Sequence, residues 1–265
     1  MISSRVLLIY FAVKYEGDWL KIYQAISNKE DVEYKDALAI AENLTCKVLT
    51  ALDPEYPKYL SRMSRAPFVL FYYGDINLIS DCNNNLSVVG SRKNTLYGKT
   101  ITEEIVGKVC KKYNIVSGMA AGIDAIAHNA CINSGGKTIA VLGCGIDYCY
   151  PSSNRELYEK IKQDHLVISE YPGVTEPKTT YFPIRNRIIA ALGKGLLVTE
   201  ARNGSGSSIT AAWALEYNKD IMCVPNLAYS DSACNQWIKE GAFLVEKSSD
   251  VLEILSEYKK SKNLK

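Results

Sequence analysis

Only two histidines, His128 and His165, occur in this chain, and no Cys-x-x-Cys pair does. Eight cysteines are present, with Cys144 and Cys149 the closest pair, whereas zinc sites and disulfide frameworks carry tighter spacing. No bound metal is expected, and most cysteines read as reduced core filler. No stretch approaches the roughly 18 apolar residues of a membrane span. Val6 to Val13 is apolar but short, and no small-residue cleavage site follows it, so a soluble cytoplasmic protein is expected. The pair Gly143-Cys144-Gly145 lacks the third glycine of G-x-G-x-x-G, and no G-x-x-x-x-G-K-[ST] occurs, which excludes the usual dinucleotide and Walker-type sites. There is no convincing Ser-His-Asp or Cys-His set and no acid/base pair of carboxylates. Binding is therefore expected rather than catalysis, with no cofactor.

Charge is also scarce in sum, at a net +2 over 265 residues, but it is unevenly spread. Residues 1–85 hold 9 Lys/Arg against 11 Asp/Glu, residues 86–199 hold 14 against 9, and residues 200–265 hold 8 against 9. The middle segment is thus the basic one, as a locally bound anion requires.

Residues 1–50 read as a helical region. Leu7, Leu8, Phe11 and Ala12 share one face, Trp19, Leu20, Tyr23 and Ile26 continue the spacing, and Ala37 to Leu44 forms a further short helix. Packing is their expected role. Residues 67–74 read as a strand. Regular alternation follows, with strands expected at 86–89, 114–117, 138–142, 166–169, 195–199, 221–224 and 242–245. The helices between and after them fall near 97–112, 124–133, 153–163, 186–192, 207–217, 233–240 and 249–256. Ser153 with Glu156 reads as a capping box, and Gly135 and Gly241 as helix ends. Such alternation predicts an α/β fold, a mostly parallel sheet with helices on both faces, spanning residues 51–258. The Lys-rich stretch 259–265 reads as a frayed tail.

In a parallel α/β fold the loops at the carboxyl ends of the strands meet, and ligands bind there. Those loops are Gly90-Ser91-Arg92, Ser117-Gly118 to Gly122-Ile123-Asp124, Gly143 to Asp147, and Gly204-Ser205-Gly206-Ser207. Glycine permits close backbone approach and helix-start amides attract anions, so a phosphate-bearing ligand is expected. Arg92 offers a planar fork of donors. Asp124 either caps a helix or accepts from a ligand hydroxyl. Arg185 and Arg187 are expected in the first turn of a helix, where cations oppose the macrodipole unless an anion or a carboxylate such as Glu170 or Glu200 answers them. Glu200 itself reads as a holder of a ribose hydroxyl or of an arginine. Phe182 beside them reads either as a stacking face for a base or as core.

The order of these pieces closely resembles the DprA/Smf family. It runs from Leu52-Asp53-x-x-Tyr56-Pro57 and Pro67-x-Val69-Leu70-Phe71-x-x-Gly74 through the glycine loops just named. Gly143-x-Gly145-x-Asp147-x-x-Tyr150-Pro151-x-x-Asn154, Ser169-Glu170-x-Pro172, Phe182-Pro183-x-Arg185-Asn186-Arg187 and Val224-Pro225 continue it. The resemblance covers about residues 52 to 255 and implies an extended Rossmann-like fold that binds single-stranded DNA. It also implies protection of incoming DNA in natural transformation, assistance in loading the recombinase RecA, and a homodimer. Arg92 matches the family's DNA-contacting arginine, and Lys137, Lys178, Arg185 and Arg187 match basic residues of the same pocket. Ala191, Gly193 and Asn226 depart from the family's usual residues. The sequence stops where the Rossmann segment stops, so the small winged-helix-like domain of many members is expected to be absent. The rival expectation is a nucleotide-hydrolysing enzyme of the related phosphoribohydrolase group, with Glu200 assisting cleavage. That group's Pro-Gly-Gly-x-Gly-Thr loop is missing here.

Overall fold

Three helices open the chain in the computed structural model, which describes residues 3–262: α1 (Ser4–Lys14), α2 (Trp19–Ser27) and α3 (Tyr34–Glu42). Ser3 caps α1 by accepting from the Val6 N–H, and Asp18 caps α2 by accepting from Leu20 and Lys21. Leu8, Phe11 and Ala12 are buried as their spacing predicts. The expected continuation of that face onto α2 fails, because a turn at Gly17 and Asp18 starts a new helix. On α2 the buried residues are Ile22 and Ala25, while Leu20, Tyr23 and Ile26 are exposed.

The rest alternates. Strand β1 (Lys47–Thr50), helix α4 (Lys58–Ser61) and strand β2 (Val69–Gly74) precede the main succession. That succession is β3 (Asn85–Val89), α5 (Leu96–Val109), β4 (Asn114–Ser117), α6 (Ile123–Asn133), β5 (Thr138–Gly145), α7 (Arg155–Asp164) and β6 (Leu166–Tyr171). It continues with α8 (Tyr181–Leu192), β7 (Gly195–Val198), α9 (Gly206–Glu216), β8 (Asp220–Cys223), α10 (Ala233–Lys239), β9 (Phe243–Leu244) and α11 (Ser248–Lys262). Residues 47–50, expected within the helical region, are thus an edge strand. Ser152–Asn154 forms a 3-10 turn and α7 has no side-chain cap, so the expected capping box does not form. Gly135 and Gly241 do take the positive φ of helix ends. Helix α11 carries its backbone into the expected tail as far as Lys262, and residues 263–265 lie outside the described residues.

One nine-stranded sheet results, ordered β1-β2-β6-β5-β4-β3-β7-β8-β9. Strands β6 to β9 in that order pair in parallel, while β1 with β2 and β2 with β6 are antiparallel. Every residue of β3, β5, β6 and β7 is buried, as strands covered on both faces must be. Val89, Val116, Ile139 and Val141 face the core beneath α8 and α9. Val88 and Ile115 face the core under α5, α6 and α11, which continues through Ala140 and Leu142 to α1, α2 and α7. From β3 the chain steps outward through β4, β5 and β6, then returns to lay β7 on the other side of β3. The carboxyl ends of β3 and β7 therefore part at a switch point, where such sheets bind ligands.

Candidate nucleic-acid interface

A cleft of about 540 Å³ lies at this switch point. Its walls come from the loop after β3 (Gly90, Ser91, Arg92, Lys93), Ala120 and Asp124, Tyr150, the amino half of α8, and the loop leading into α9 (Arg202, Ser205, Gly206, Ser207). A smaller recess of about 90 Å³ adjoins it, bordered by Gly118, Gly143, Tyr150 and Pro151 and sharing Arg92, Phe182 and Arg185. The Arg92 guanidinium lies 5.2 Å from the Phe182 ring centre, and Tyr150 leans on the same ring at 5.6 Å. A cation and two aromatic faces thus converge at one mouth.

Helix α8 begins at Tyr181, five residues earlier than its periodicity predicts, so Arg185 and Arg187 stand in its second turn rather than its first. Their cost against the helix dipole disappears with that position. Arg185 is 3% exposed and donates to the carbonyls of Gly118 and Val141, the former at 2.6 Å. Burial pushes it down to about 10, helped by Arg92 and opposed by Asp124, so it remains a cation at neutral pH. Arg187 is elsewhere. It forks onto Glu170 at 2.6 and 2.7 Å and donates to the Arg65 carbonyl, 1% exposed inside the core. Of the two readings open for the arginines, Glu170 takes Arg187, and Arg185 lines the cleft.

Several of the glycines also serve packing within the loops. A Cβ on Gly118 would stand 2.6 to 2.8 Å from the Arg185 guanidinium, and one on Gly143 would stand 2.8 Å from the Phe182 ring. Gly122, at φ +79°, packs on the Ser91 carbonyl, and Gly145 packs on the segment 173–175. These four let loops and side chains pack against each other. Gly204 and Gly206 face open space, and Gly206 begins α9 beside the cleft. The Ser205 hydroxyl there is buried without a hydrogen-bond partner among the described residues. Ser91 lines the cleft while its hydroxyl accepts from Lys93 N–H.

Asp124 neither caps α6 nor faces outward. It accepts from the N–H groups of Gly118 and Ala120 and so holds the loop after β4, and burial pushes its carboxyl upward. Asn154 braces the same loop through the Met119 carbonyl at 2.9 Å. Glu200 touches neither arginine. It accepts from Thr95 N–H and the Thr95 hydroxyl and lies against Gly98, which anchors the start of α5.

Lys137 is placed away from the cleft, at the amino end of β5, with its ammonium on the Asp164 carbonyl. Lys178 is exposed on the loop before α8, 3.4 Å from Glu16 and 5.1 Å from the Tyr181 ring centre. Lys93, Tyr150, Asn186 and Arg202 line the cleft although their sequence positions assigned them no role. Tyr150 and Asn186 stood within the motifs that carry the family resemblance, whereas Lys93 and Arg202 had only their nearness in sequence to Arg92 and Glu200.

The family model for DNA recombination-mediator protein A matches residues 47–256. Over 203 residues the chain is 43% identical to DNA processing protein DprA of Streptococcus pneumoniae, covering 76% of this chain and 71% of that one. It is 36% identical to DprA of Bacillus subtilis over 206 residues, covering 77% and 69%. A crystal structure of the Streptococcus pneumoniae protein superposes with a TM-score of 0.81 at 31% identity, over 96% of this chain and 98% of that one. A Helicobacter pylori DprA structure, described for its single-stranded DNA binding mode, superposes at 0.73 with 27% identity, over 81% and 97%. The chain therefore belongs to the DNA recombination-mediator protein A family, the DprA/Smf proteins.

Proposed function

We propose that this protein binds single-stranded DNA in the switch-point cleft, without catalysing a reaction on it. The observation that carries this reading is the convergence of Arg92, Lys93, Arg185 and Arg202 with the Phe182 and Tyr150 rings in one open cleft. Cations on phosphates supply sequence-independent, salt-sensitive affinity, and ring faces stack any base. A duplex hides its base faces, so the single strand is preferred. Asp124, the carboxylate that lines the cleft, and Glu200, the one the nucleotide-hydrolysing alternative needs, are each engaged by backbone N–H groups, which argues against that alternative. Arg187 and Lys137 serve the fold in this reading, and Lys178 lies beside the cleft rather than in it. The family likeness supports placing the protein in the cytoplasm as a homodimer that protects incoming strands during natural transformation and passes them to RecA.

Fluorescence anisotropy of a labelled dT oligonucleotide and its duplex tests the core of this reading. Tight, salt-sensitive binding that favours the single strand is expected. Arg92→Ser with Arg202→Ser should weaken it on every sequence. Failure to bind either form, or turnover of AMP that stops in Glu200→Gln, overturns it.

A further inference from the structure

Three pairs of a cation and an aromatic ring run outward from the cleft. Arg92 lies 5.2 Å from Phe182 inside it, and Lys178 lies 5.1 Å from Tyr181, the neighbouring residue on α8. Arg65 lies 6.0 Å from Trp19 at the start of α2. The pairs are joined by direct contacts. Tyr181 stacks on Tyr171 at 4.0 Å, and the turn at Gly17 packs on Glu170 and Tyr171. Lys178 pairs with Glu16 in that turn, and Arg187 of α8 donates to the Arg65 carbonyl. The α1–α2 turn is therefore fastened at the carboxyl end of β6, the same end of the strands as the cleft.

The third pair continues into a stack. Phe68, Trp19 and Tyr23 follow one another at 5.2 and 5.3 Å, with the Trp19 and Tyr23 rings only 7° from parallel. The Trp19 indole N–H donates to the Ala66 carbonyl, which fixes the ring. Tyr23 is the outermost ring and is 51% exposed, with exposed Leu20 and Ile26 on the same helix. Periodicity alone assigns this face to packing, yet nothing in the chain covers it among the described residues. Arg65, which lies over the Trp19 ring, is exposed, as is Arg62 three residues before it.

We propose that the single strand bound in the cleft continues past Tyr181 and Lys178 onto Arg65 and the exposed ring of Tyr23, so that α2 forms a second binding segment. This rests on the reading of the cleft as a single-stranded DNA site. The occupant is single-stranded nucleic acid because the path repeats what a flexible strand offers, alternating phosphates for the cations and unpaired bases for the rings. A protein partner would be suited by Leu20 and Ile26 but would leave the regular recurrence of cations unexplained.

The test uses the full chain with dT6 and dT20, the shorter filling the cleft and the longer reaching α2. Affinity for dT20 should exceed that for dT6 by more than the statistical gain in binding registers. Arg65→Ser with Tyr23→Ser should lower dT20 affinity about tenfold, the range of one lost stack and one lost phosphate contact, and leave dT6 affinity unchanged. As a readout independent of affinity, dT20 but not dT6 should quench tryptophan fluorescence, and Trp19→Phe should remove that quench. Equal loss on both lengths, or a double variant that binds dT20 like the parent, overturns the second segment. A parent that fails to bind dT6 overturns the cleft reading instead. Quenching retained in Trp19→Phe also counts against the path.

Discussion

Arg185 and Arg187 stand two residues apart on one helix and end with different partners. Arg185 spends donors on two carbonyls and keeps a border on the cleft, whereas Arg187 is closed off by Glu170 and the Arg65 carbonyl. What admits Arg185 is the absent side chain of Gly118. Gly118→Ala should force the guanidinium away and overpack the loop, at about 1–3 kcal/mol of stability. Single-strand affinity should fall with it, and thermal melts with anisotropy titrations check both. An alanine variant as stable and as tightly binding as the parent would refute this account of the glycine. His128 supplies a pH dependence. It is fully buried with Nδ1 on the Thr138 hydroxyl and Nε2 unpartnered, and burial pushes it down to about 3 from 6.5. Below about pH 6.5 the unfolded chain gains a proton that the folded chain refuses until about pH 3. Stability is therefore held above that window and falls with pH inside it, by up to about 1.4 kcal/mol per pH unit. Urea unfolding at pH 6, 5 and 4 should show this slope, and His128→Gln should flatten it.

Helix α8 gathers the site because it is anchored at several points. The Arg187–Glu170 fork ties it to the end of β6, the Ser87 hydroxyl donates to its Ile189 carbonyl, and Ile188 and Ile189 bury against the sheet. Removing one partner of a buried ion pair strands the other charge, typically at about 3–5 kcal/mol. Glu170→Gln and Arg187→Met should each destabilise strongly, while the joint change Glu170→Met with Arg187→Met should recover part of the loss. A double-mutant cycle by chemical denaturation measures this, and additive losses would show that the fork is not a coupled unit. Helix α9 contributes differently, with open backbone at Gly206 and an unpartnered Ser205 hydroxyl at its start. Ser205→Ala removes no fold contact, so it should leave stability within about 0.5 kcal/mol. Any loss of oligonucleotide affinity in that variant would then report a ligand contact.

At the scale of the whole molecule, a net charge of +2 cannot attract a polyanion by itself, so affinity must come from local contacts. The slope of log K against log salt for dT20 should fall by about 0.7 for each phosphate-contacting cation removed. Arg92→Ser with Arg202→Ser should lower it by about 1.4, and Lys137→Ser should leave it unchanged because Lys137 sits at the amino end of β5, whereas the cleft lies at the carboxyl ends of the strands. A slope that responds to Lys137 would move the binding surface away from the cleft. Much of this architecture was legible beforehand. Continuous apolar runs and glycine punctuation mark strands buried on both faces, which is why the strands from 86 to 245 and the α/β class could be read from periodicity, and why Arg92 could be placed at a strand end. The sequence by itself determined the succession of strands and helices from residue 86 onward, the family, and which loops end those strands, since these follow from local patterning along the chain. Only the tertiary structure decided that α8 starts at Tyr181, that Glu170 takes Arg187, that Glu200 and Asp124 are spent on backbone N–H groups, that Lys137 faces away, and that Tyr23 is left uncovered. Each of these depends on which segments distant in sequence meet across the sheet, and periodicity carries no record of that pairing.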